Sequence, residues 1–276
     1  MPEGDTLHRT ADGLRPYLVG REVLAARTAG PGARPQVGRV IGATVTGVEA
    51  VGKNLLVRFD NGLELRTHLR MTGSWHRYRP GERWRRPPSR ARLVLEVPGA
   101  VAVCFDAPVV ELLEMRVEGL YPPLAALGPD LLDPAWGPEL AAEALRRLRD
   151  PGRADRTIGE ALLDQRALAG IGNVYKSEVL FLERVDPWAR VGALPDATLA
   201  ALVATARRLL VANADRRAGP ERITTDRARA AAGAPVWVYD RAGRPCRRCG
   251  TPIERRRQGT DLPRLTFWCP RCQGGG

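Results

Sequence analysis

The chain has 276 residues, 44% of them hydrophobic, which is enough for two domains with their own cores. No apolar run approaches the ~20 residues of a membrane span, and the acidic start Pro2-Glu3-Gly4-Asp5 is the reverse of a signal peptide's basic region. No membrane partner and a cytoplasmic location are therefore expected. The formal charge is +12, and it is gathered: residues 66–92 hold nine arginines and one acid, residues 241–276 nine arginines and two acids, and the remainder is slightly negative. Such patches favour a polyanion partner over charge spread for solubility; a solvated arginine-rich face is the alternative for either stretch alone.

Met1-Pro2-Glu3 opens the chain. A small second residue permits removal of the initiator methionine, which would expose a secondary amine of near-neutral basicity. Such an amine attacks an aldehyde carbon to give an iminium, a cationic electron sink that acidifies the neighbouring C–H. Glu3 stands beside it as a proton donor. Leu7, Ala11, Leu14 and Leu18 then recur at helical spacing after the capping residues Asp5 and Thr6, with Pro16 expected to kink or shorten the last turn and Gly20 to end it. From Arg21 to Met115 the texture is that of short strands: around Val23, Val40 to Val48, Leu55 to Phe59, Leu63 to Leu69, Leu93 to Val97 and Val101 to Phe105. Asp60-Asn61-Gly62 and Pro98-Gly99 are turns between paired runs. This pattern predicts a β-sandwich over 1–118. Cys104 falls in an apolar strand and reads as plain core.

Residues 119–137, rich in proline and glycine, predict a linker. Helical periodicity follows at Leu140–Leu148, Ile158–Leu163, Val174–Leu182 and Leu199–Leu210, predicting a helical bundle over 138–235 in which Gly219–Ala234 is an exposed loop. Gly170-Ile171-Gly172-Asn173 joins two of these helices. Glycines at a helix start let backbone N–H groups approach an anion, and Asn173 can cap the helix or donate to a phosphate oxygen; a plain glycine turn is the structural alternative. Of 43 basic residues only Lys53 and Lys176 are lysines. An ammonium can be tuned and can pass a proton where a guanidinium cannot, which marks both as candidates for special roles.

Val236–Tyr239 predicts a strand leading into residues 236–276, where Cys246-x2-Cys249 and Cys269-x2-Cys272 have the spacing of a four-cysteine zinc site. Four thiolates with no histidine describe one structural Zn²⁺, closed to substrate; two disulfides fit a cytosolic chain poorly. Between the cysteine pairs run Glu254, Arg255, Arg256, Arg257 and Arg264, a basic hairpin braced by the metal. No catalytic metal or redox cofactor is expected.

In one register the chain carries Met1-Pro2-Glu3-Gly4-Asp5-Thr6, Gly52-Lys53-Asn54-Leu55-Leu56, His68-Leu69-Arg70-Met71-Thr72-Gly73-Ser74, Gly170-Ile171-Gly172-Asn173-Val174-Tyr175 and Pro263-Arg264-Leu265-Thr266-Phe267-Trp268-Cys269. In these motifs it resembles, over essentially its whole length, the formamidopyrimidine-DNA glycosylase/endonuclease VIII family of bifunctional DNA repair enzymes. The resemblance implies an α+β protein of two lobes: a β-sandwich with an N-terminal helix, then a helix-two-turn-helix bundle followed by a four-cysteine zinc finger, with damaged double-stranded DNA bound in the cleft between lobes by a nucleoid-associated monomer. It gives Pro2 the part of nucleophile on C1′ of a flipped nucleotide and Glu3 that of proton donor to the sugar ring oxygen. Lys53 contacts phosphate and supports the acid–base steps, Asn173 and Arg264 hold the phosphates flanking the lesion, and Met71 fills the gap left by the flipped base, core packing being the alternative for Met71. Arg70 and Thr72 flank Met71 as further fillers, and Gly172 and Lys176 belong with the DNA-contacting turn. Family members acting on 8-oxoguanine typically begin Pro-Glu-Leu-Pro-Glu and carry an Arg-Arg-Phe-Gly loop after a late aspartate. Here Asp106 is followed by Ala107-Pro108-Val109-Val110, which favours the endonuclease VIII branch in its actinobacterial form, oxidised pyrimidines as substrates and β,δ-elimination. The alternatives are an 8-oxoguanine-type glycosylase and a zinc-ribbon DNA-binding protein without catalysis.

Overall fold

A computed structural model describes residues 2–30, 34–215, 222–259 and 263–274. The chain divides into two compact units, Met1–Ala126 and Leu127–Gly276.

The first unit begins with α1 (Gly4–Leu18), whose Leu7, Ala11, Leu14 and Leu18 form one buried stripe. The helix runs through Pro16 to Leu18 rather than stopping short of it, because a proline in the last turn forfeits a single intrahelical bond. Eight strands follow: β1 (Ala25–Thr28), β2 (Val45–Val51), β3 (Asn54–Phe59), β4 (Leu63–His68), β5 (Ser74–Tyr78), β6 (Ala91–Val97), β7 (Ala100–Phe105) and β8 (Val109–Glu114). They make two antiparallel four-stranded sheets, ordered β2-β3-β4-β8 and β1-β6-β7-β5, of a β-sandwich. Both sheets and α1 contribute to one core that includes Val45, Leu55, Leu65, Leu95 and the buried Cys104. The strand expected from Val40 begins at Val45, because Val37–Val40 is a 3₁₀ turn and Gly42, at φ 81°, turns the chain. Sequence periodicity misses β5 and β8. Both are sheet edges, where polar residues such as His76, Arg77 and Glu111 blunt the apolar alternation.

The expected linker is largely structured. Met115–Leu120 is 3₁₀ and is tied to β3 by Arg58, which donates to Glu118 at 3.0 Å; α2 (Pro122–Ala125) follows. Residues from Leu127 on belong to the second unit: Leu131 and Leu132 join its core, and Gly128 lies so close to the Ala167 carbonyl that a Cβ there would stand 2.5 Å from it.

That unit contains α3 (Pro138–Leu148), α4 (Ile158–Ala161), α5 (Asn173–Leu182) and α6 (Asp196–Ala214), whose apolar faces enclose Ile158, Tyr175, Leu180, Leu202 and Leu210. Part of the expected loop Gly219–Ala234 lies outside the described residues; within the rest, α7 (Arg227–Ala231) is capped by Asp226. Val236–Tyr239 is not a strand. It is a bend whose N–H groups turn onto Glu178 instead of pairing with another strand. The antiparallel hairpin β9 (Glu254–Gln258) and β10 (Arg264–Trp268) and the short α8 (Pro270–Gln273) complete the chain.

Candidate nucleic-acid interface and active site

Pro2 is half-buried and Glu3 is fully buried at the N-cap position of α1, with extended backbone and a carbonyl that accepts from Thr6 N at 3.0 Å and Leu7 N at 3.2 Å. The proline nitrogen is thus delivered by the first residues of a rigid helix. The helix itself is seated on β2, where the Arg15 guanidinium donates to the Val48 carbonyl.

Lys53 lies in a two-residue hairpin loop between β2 and β3, closed by the Val51–Asn54 pair. Gly52 takes φ 58° and Lys53 does not take positive φ, the pattern of a type II′ turn. Asn54 fixes the base of this turn: its Nδ2 donates to the Val51 carbonyl at 3.1 Å and its Oδ1 accepts from Arg66 Nε at 3.0 Å. Arg66 in turn pairs with Glu111. Opposite Asn54 stands His68. Burial, and then the positive charges of Arg66, Lys53 and Arg70, push its imidazole down to about 4. The ring is neutral at pH 7, and because Nδ1 accepts from Arg70 N at 3.1 Å, its hydrogen sits on Nε2. With the folded value below the ordinary 6.5, the unfolded chain binds the proton first, so stability falls as pH drops from about 6.5 to about 4. A His68→Asn variant, which keeps an acceptor for Arg70 N, is expected to lose less stability than the parent over that window, by about 1–3 kcal/mol, in urea melts at the two ends.

The loop from Leu69 to Gly73 is closed by Gly73 N donating to the Leu69 carbonyl at 2.9 Å, an approach so tight that a Cβ at Gly73 would lie 2.8 Å from that oxygen. Arg70 at its tip takes φ 45°, and both Arg70 and Met71 are exposed. Met71 is 61% exposed, which excludes core packing as the reason for an apolar side chain there. Thr72 Oγ1 fastens the loop to the Asp106 carbonyl at 3.1 Å. Asp106 to Pro108 are the whole connection between β7 and β8, so the loop after Asp106 has no residues to extend.

In the second unit the zinc hairpin is stapled to the start of α5. Gly172 is its N-cap residue, and Asn173 Nδ2 donates to the Leu265 carbonyl at 2.7 Å, bringing Asn173 beside the backbone that carries the half-buried Arg264. The amide keeps a second N–H, while its buried Oδ1 accepts nothing among the described residues. Lys176, expected at the DNA surface, is fully buried, and its ammonium donates to Thr266 Oγ1 at 2.7 Å. Its place is between α5 and β10, which corrects the expectation of a DNA contact. Thr266 passes the bond to Gln258 Oε1 at 2.7 Å, and Gln258 Nε2 donates to Thr157 Oγ1 and the Pro187 carbonyl, both at 2.8 Å. Gly159 leaves the room for that amide, since a Cβ there would stand 2.3 Å from Gln258 Oε1.

The Cys246, Cys249, Cys269 and Cys272 sulfurs lie within 4.8 Å of one another, with 3.9 Å between Cys246 and Cys272 and 3.4 Å between Cys249 and Cys269. A tetrahedral Zn²⁺ with Zn–S near ~2.3 Å fits such a cluster, whereas disulfides require S–S near ~2.05 Å. Hydrogen bonds from the Thr251 side chain and backbone lower the Cys249 thiol, whereas burial raises Cys269 and Cys272, so metal binding has to displace protons from the cluster.

Glu178, which sequence reasoning passed over, carries the join between helices and finger. Fully buried on α5, its carboxylate accepts from Trp237 N at 2.7 Å, Val238 N at 2.8 Å and Tyr239 N at 2.8 Å, and from the Thr224 hydroxyl. The signal for it is the polar run Lys176-Ser177-Glu178 inside an otherwise apolar helix that is buried on every side. Glu178→Ala removes the shared acceptor of three N–H groups, that of the buried Val238 among them, and is expected to lower stability by about 3–5 kcal/mol, measured by thermal unfolding of the zinc-loaded protein.

The arginine patches are thinner than composition suggests. Arg66 and Arg92 are buried, Arg86 and Arg90 are bound to Asp106, Arg241 is buried on the Trp237 and Pro245 carbonyls, and Arg256 lies over Trp188 and Trp268. The finger's remaining exposed arginines include Arg255 and Arg257 on β9.

Comparison with known proteins matches three models in series: the formamidopyrimidine-DNA glycosylase N-terminal domain over residues 1–108, its H2TH domain over 127–222, and the zinc finger found in FPG and IleRS over 243–274. Probable endonuclease 8 2 of Streptomyces coelicolor is 45% identical, covering 100% of this chain and 95% of its own. The DNA-(apurinic or apyrimidinic site) lyase Nei2 of Mycolicibacterium smegmatis is 40% identical over 99% of each chain, and endonuclease 8 of Escherichia coli 33% identical over 99% and 100%. Among solved structures, Lactococcus lactis Fpg in complex with an oxidized pyrimidine containing DNA superposes with a TM-score of 0.80 at 21% identity over 99% of both chains, a likeness of fold. With all three domains present in order and relatives aligned from end to end, the chain belongs to the formamidopyrimidine-DNA glycosylase/endonuclease VIII family.

Proposed function

We propose that this DNA glycosylase with AP lyase activity removes oxidised pyrimidines from duplex DNA, with Pro2 as nucleophile once Met1 has been removed, and cleaves the strand by β,δ-elimination. The observation that carries the catalytic reading is Glu3: a fully buried carboxylate at the head of a helix, directly behind a half-exposed proline. The pyrrolidine nitrogen attacks C1′ of the damaged nucleotide, the C1′–base bond breaks, and the ring-opened sugar remains joined to Pro2 as an iminium. Glu3 gives a proton to the sugar ring oxygen. The iminium makes the C2′ proton acidic; its loss expels the 3′ phosphate, and a further elimination expels the 5′ phosphate. Lys53, on its rigid turn beside neutral His68, supplies a cation for a phosphate near the lesion without a second charge competing for the proton. Asn173, through its second N–H, and Arg264 hold the flanking phosphates, Gly172 opens the helix on which Asn173 rides, and Met71 enters the gap in the duplex with Arg70 at its side.

The choice of lesion class rests on the short Asp106–Pro108 connection. With no extended loop there, the gap-filling residues come from the Arg70–Thr72 tip, the arrangement that the resemblance gives to the endonuclease VIII branch. Excision of thymine glycol or dihydrouracil is expected to outrun excision of 8-oxoguanine opposite cytosine by at least about 10-fold in kcat/KM, roughly 1.4 kcal/mol of transition-state discrimination. A preference for 8-oxoguanine would overturn the lesion assignment.

A further inference from the structure

The segment Arg79–Arg90 joining β5 to β6 is built differently from an ordinary solvated loop. Trp84 sinks against Tyr78 and Phe105, at ring distances of 6.1 and 5.8 Å, and extends a small apolar cluster on the outer face of the second sheet. Arg85 N donates to the Tyr78 hydroxyl at 3.1 Å, and Glu82 closes the preceding turn by accepting Arg79 N at 2.8 Å, with Gly81 at φ 77°. At its far end Arg86 and Arg90 grip the Asp106 carboxylate at 2.7 and 2.8 Å; despite its partial desolvation they hold that group below the usual carboxylate range. The segment is pinned at its first turn, at Trp84 and Arg85 and at Asp106, yet Arg79, Arg83 and Arg85 have exposed side chains with no carboxylate partner among the described residues. Asp106 is also the residue whose carbonyl holds Thr72, and through it the Met71 loop.

We propose that Arg79, Arg83 and Arg85 form a second phosphate-contact surface on duplex DNA, braced by Trp84 and continuous with the Arg86–Arg90 stretch that holds Asp106. The inference rests on the DNA-binding part of the function proposed above and assigns it residues that no motif marks. The three-residue Asp106–Pro108 connection brings no cation to the DNA, whereas this segment, which runs from the β6–β7 turn end of the sheet back to Asp106, offers three on an ordered backbone, so that little loop entropy is lost on contact.

The test is binding of an undamaged duplex, followed by fluorescence anisotropy across a salt series, for the parent and for Arg79→Ser/Arg83→Ser/Arg85→Ser. Three lost phosphate contacts flatten the slope of log K against log salt by about two to three, with weaker binding at every salt concentration and unchanged zinc content and near-UV circular dichroism. Trp84→Ala, which keeps every charge, is expected to weaken binding with the parent's slope. An unchanged slope in the triple variant overturns the proposal. An unchanged DNA slope together with lost binding of a poly-glutamate peptide would overturn it in favour of an acidic protein partner. Borohydride trapping of the parent on an abasic duplex reports separately on the catalytic reading, so a parent that binds but never traps removes that reading and leaves the slope comparison intact.

Discussion

Replacing Pro2 with glycine is expected to lower cleavage of an abasic duplex by about 10²-fold or more, at the lower end of what a positioned catalytic group supplies, and to reduce the borohydride-trapped complex in step. A proline nitrogen carries one hydrogen, so its adduct with an aldehyde is an iminium that has no N–H to lose and stays cationic at any pH. The primary amine of glycine gives an imine that must first take up a proton to become the same electron sink. Glycine also unlocks the backbone angle that the pyrrolidine ring fixes immediately before the buried Glu3. Glu3→Gln separates the two contributions: it keeps the shape at the head of α1 and removes the proton donor, so glycosidic cleavage falls by about 10²–10⁴ while affinity for an uncleavable abasic analogue holds. Intact mass spectrometry of fully active protein still carrying Met1 would sink the mechanism, because an acylated proline nitrogen has no lone pair to give.

Much of this site is readable from the residues alone, and the reason is locality. The helix after Asp5, the hairpin turn at Asp60-Asn61-Gly62 and the paired cysteines each declare themselves within a few residues, through the period of a helix, the demand for positive φ or the spacing of ligands. What stays hidden is the polar scaffolding between distant segments. Glu178 gathers the N–H groups of residues 237–239, Gln258 bridges Thr266, Thr157 and Pro187, and Gly159 exists to make room for it. Such partners have no periodicity and are separated by tens of residues. The same blindness misjudges Lys176: rarity flags it correctly as special, but only its burial on Thr266 shows that it joins α5 to β10 instead of facing solvent. Charge counting likewise treats Arg66 and Arg92 as surface, although both are interior side chains with fixed acceptors.

That scaffolding makes zinc removal the second large effect, and a selective one. The four sulfurs close the finger, yet the residue proposed to grip phosphate, Arg264, sits on β10, and Asn173 is oriented by the carbonyl next to it. Extraction of a structural Zn²⁺ forfeits a metal-binding free energy of about 10–16 kcal/mol, far more than a hairpin of two five-residue strands can recover from its own packing. With β10 released, Asn173 loses the Leu265 carbonyl, Lys176 loses the Thr266 hydroxyl, and the phosphate-holding pair is no longer assembled. Two charge-assisted contacts at about 1.5–3 kcal/mol each correspond to a loss of roughly 10²-fold or more in affinity for an abasic-analogue duplex. The sandwich of residues 1–126 draws its core from α1 and its own two sheets and should keep its near-UV signature through the same treatment. Chelation with phenanthroline, anisotropy on the duplex, and recovery on adding Zn²⁺ form the measurement; Cys269→Ser should reproduce the chelated state without chelator. Metal-free protein that binds the duplex as tightly as the loaded form would show that the finger braces nothing the DNA touches, and would detach Arg264 and Asn173 from the phosphates.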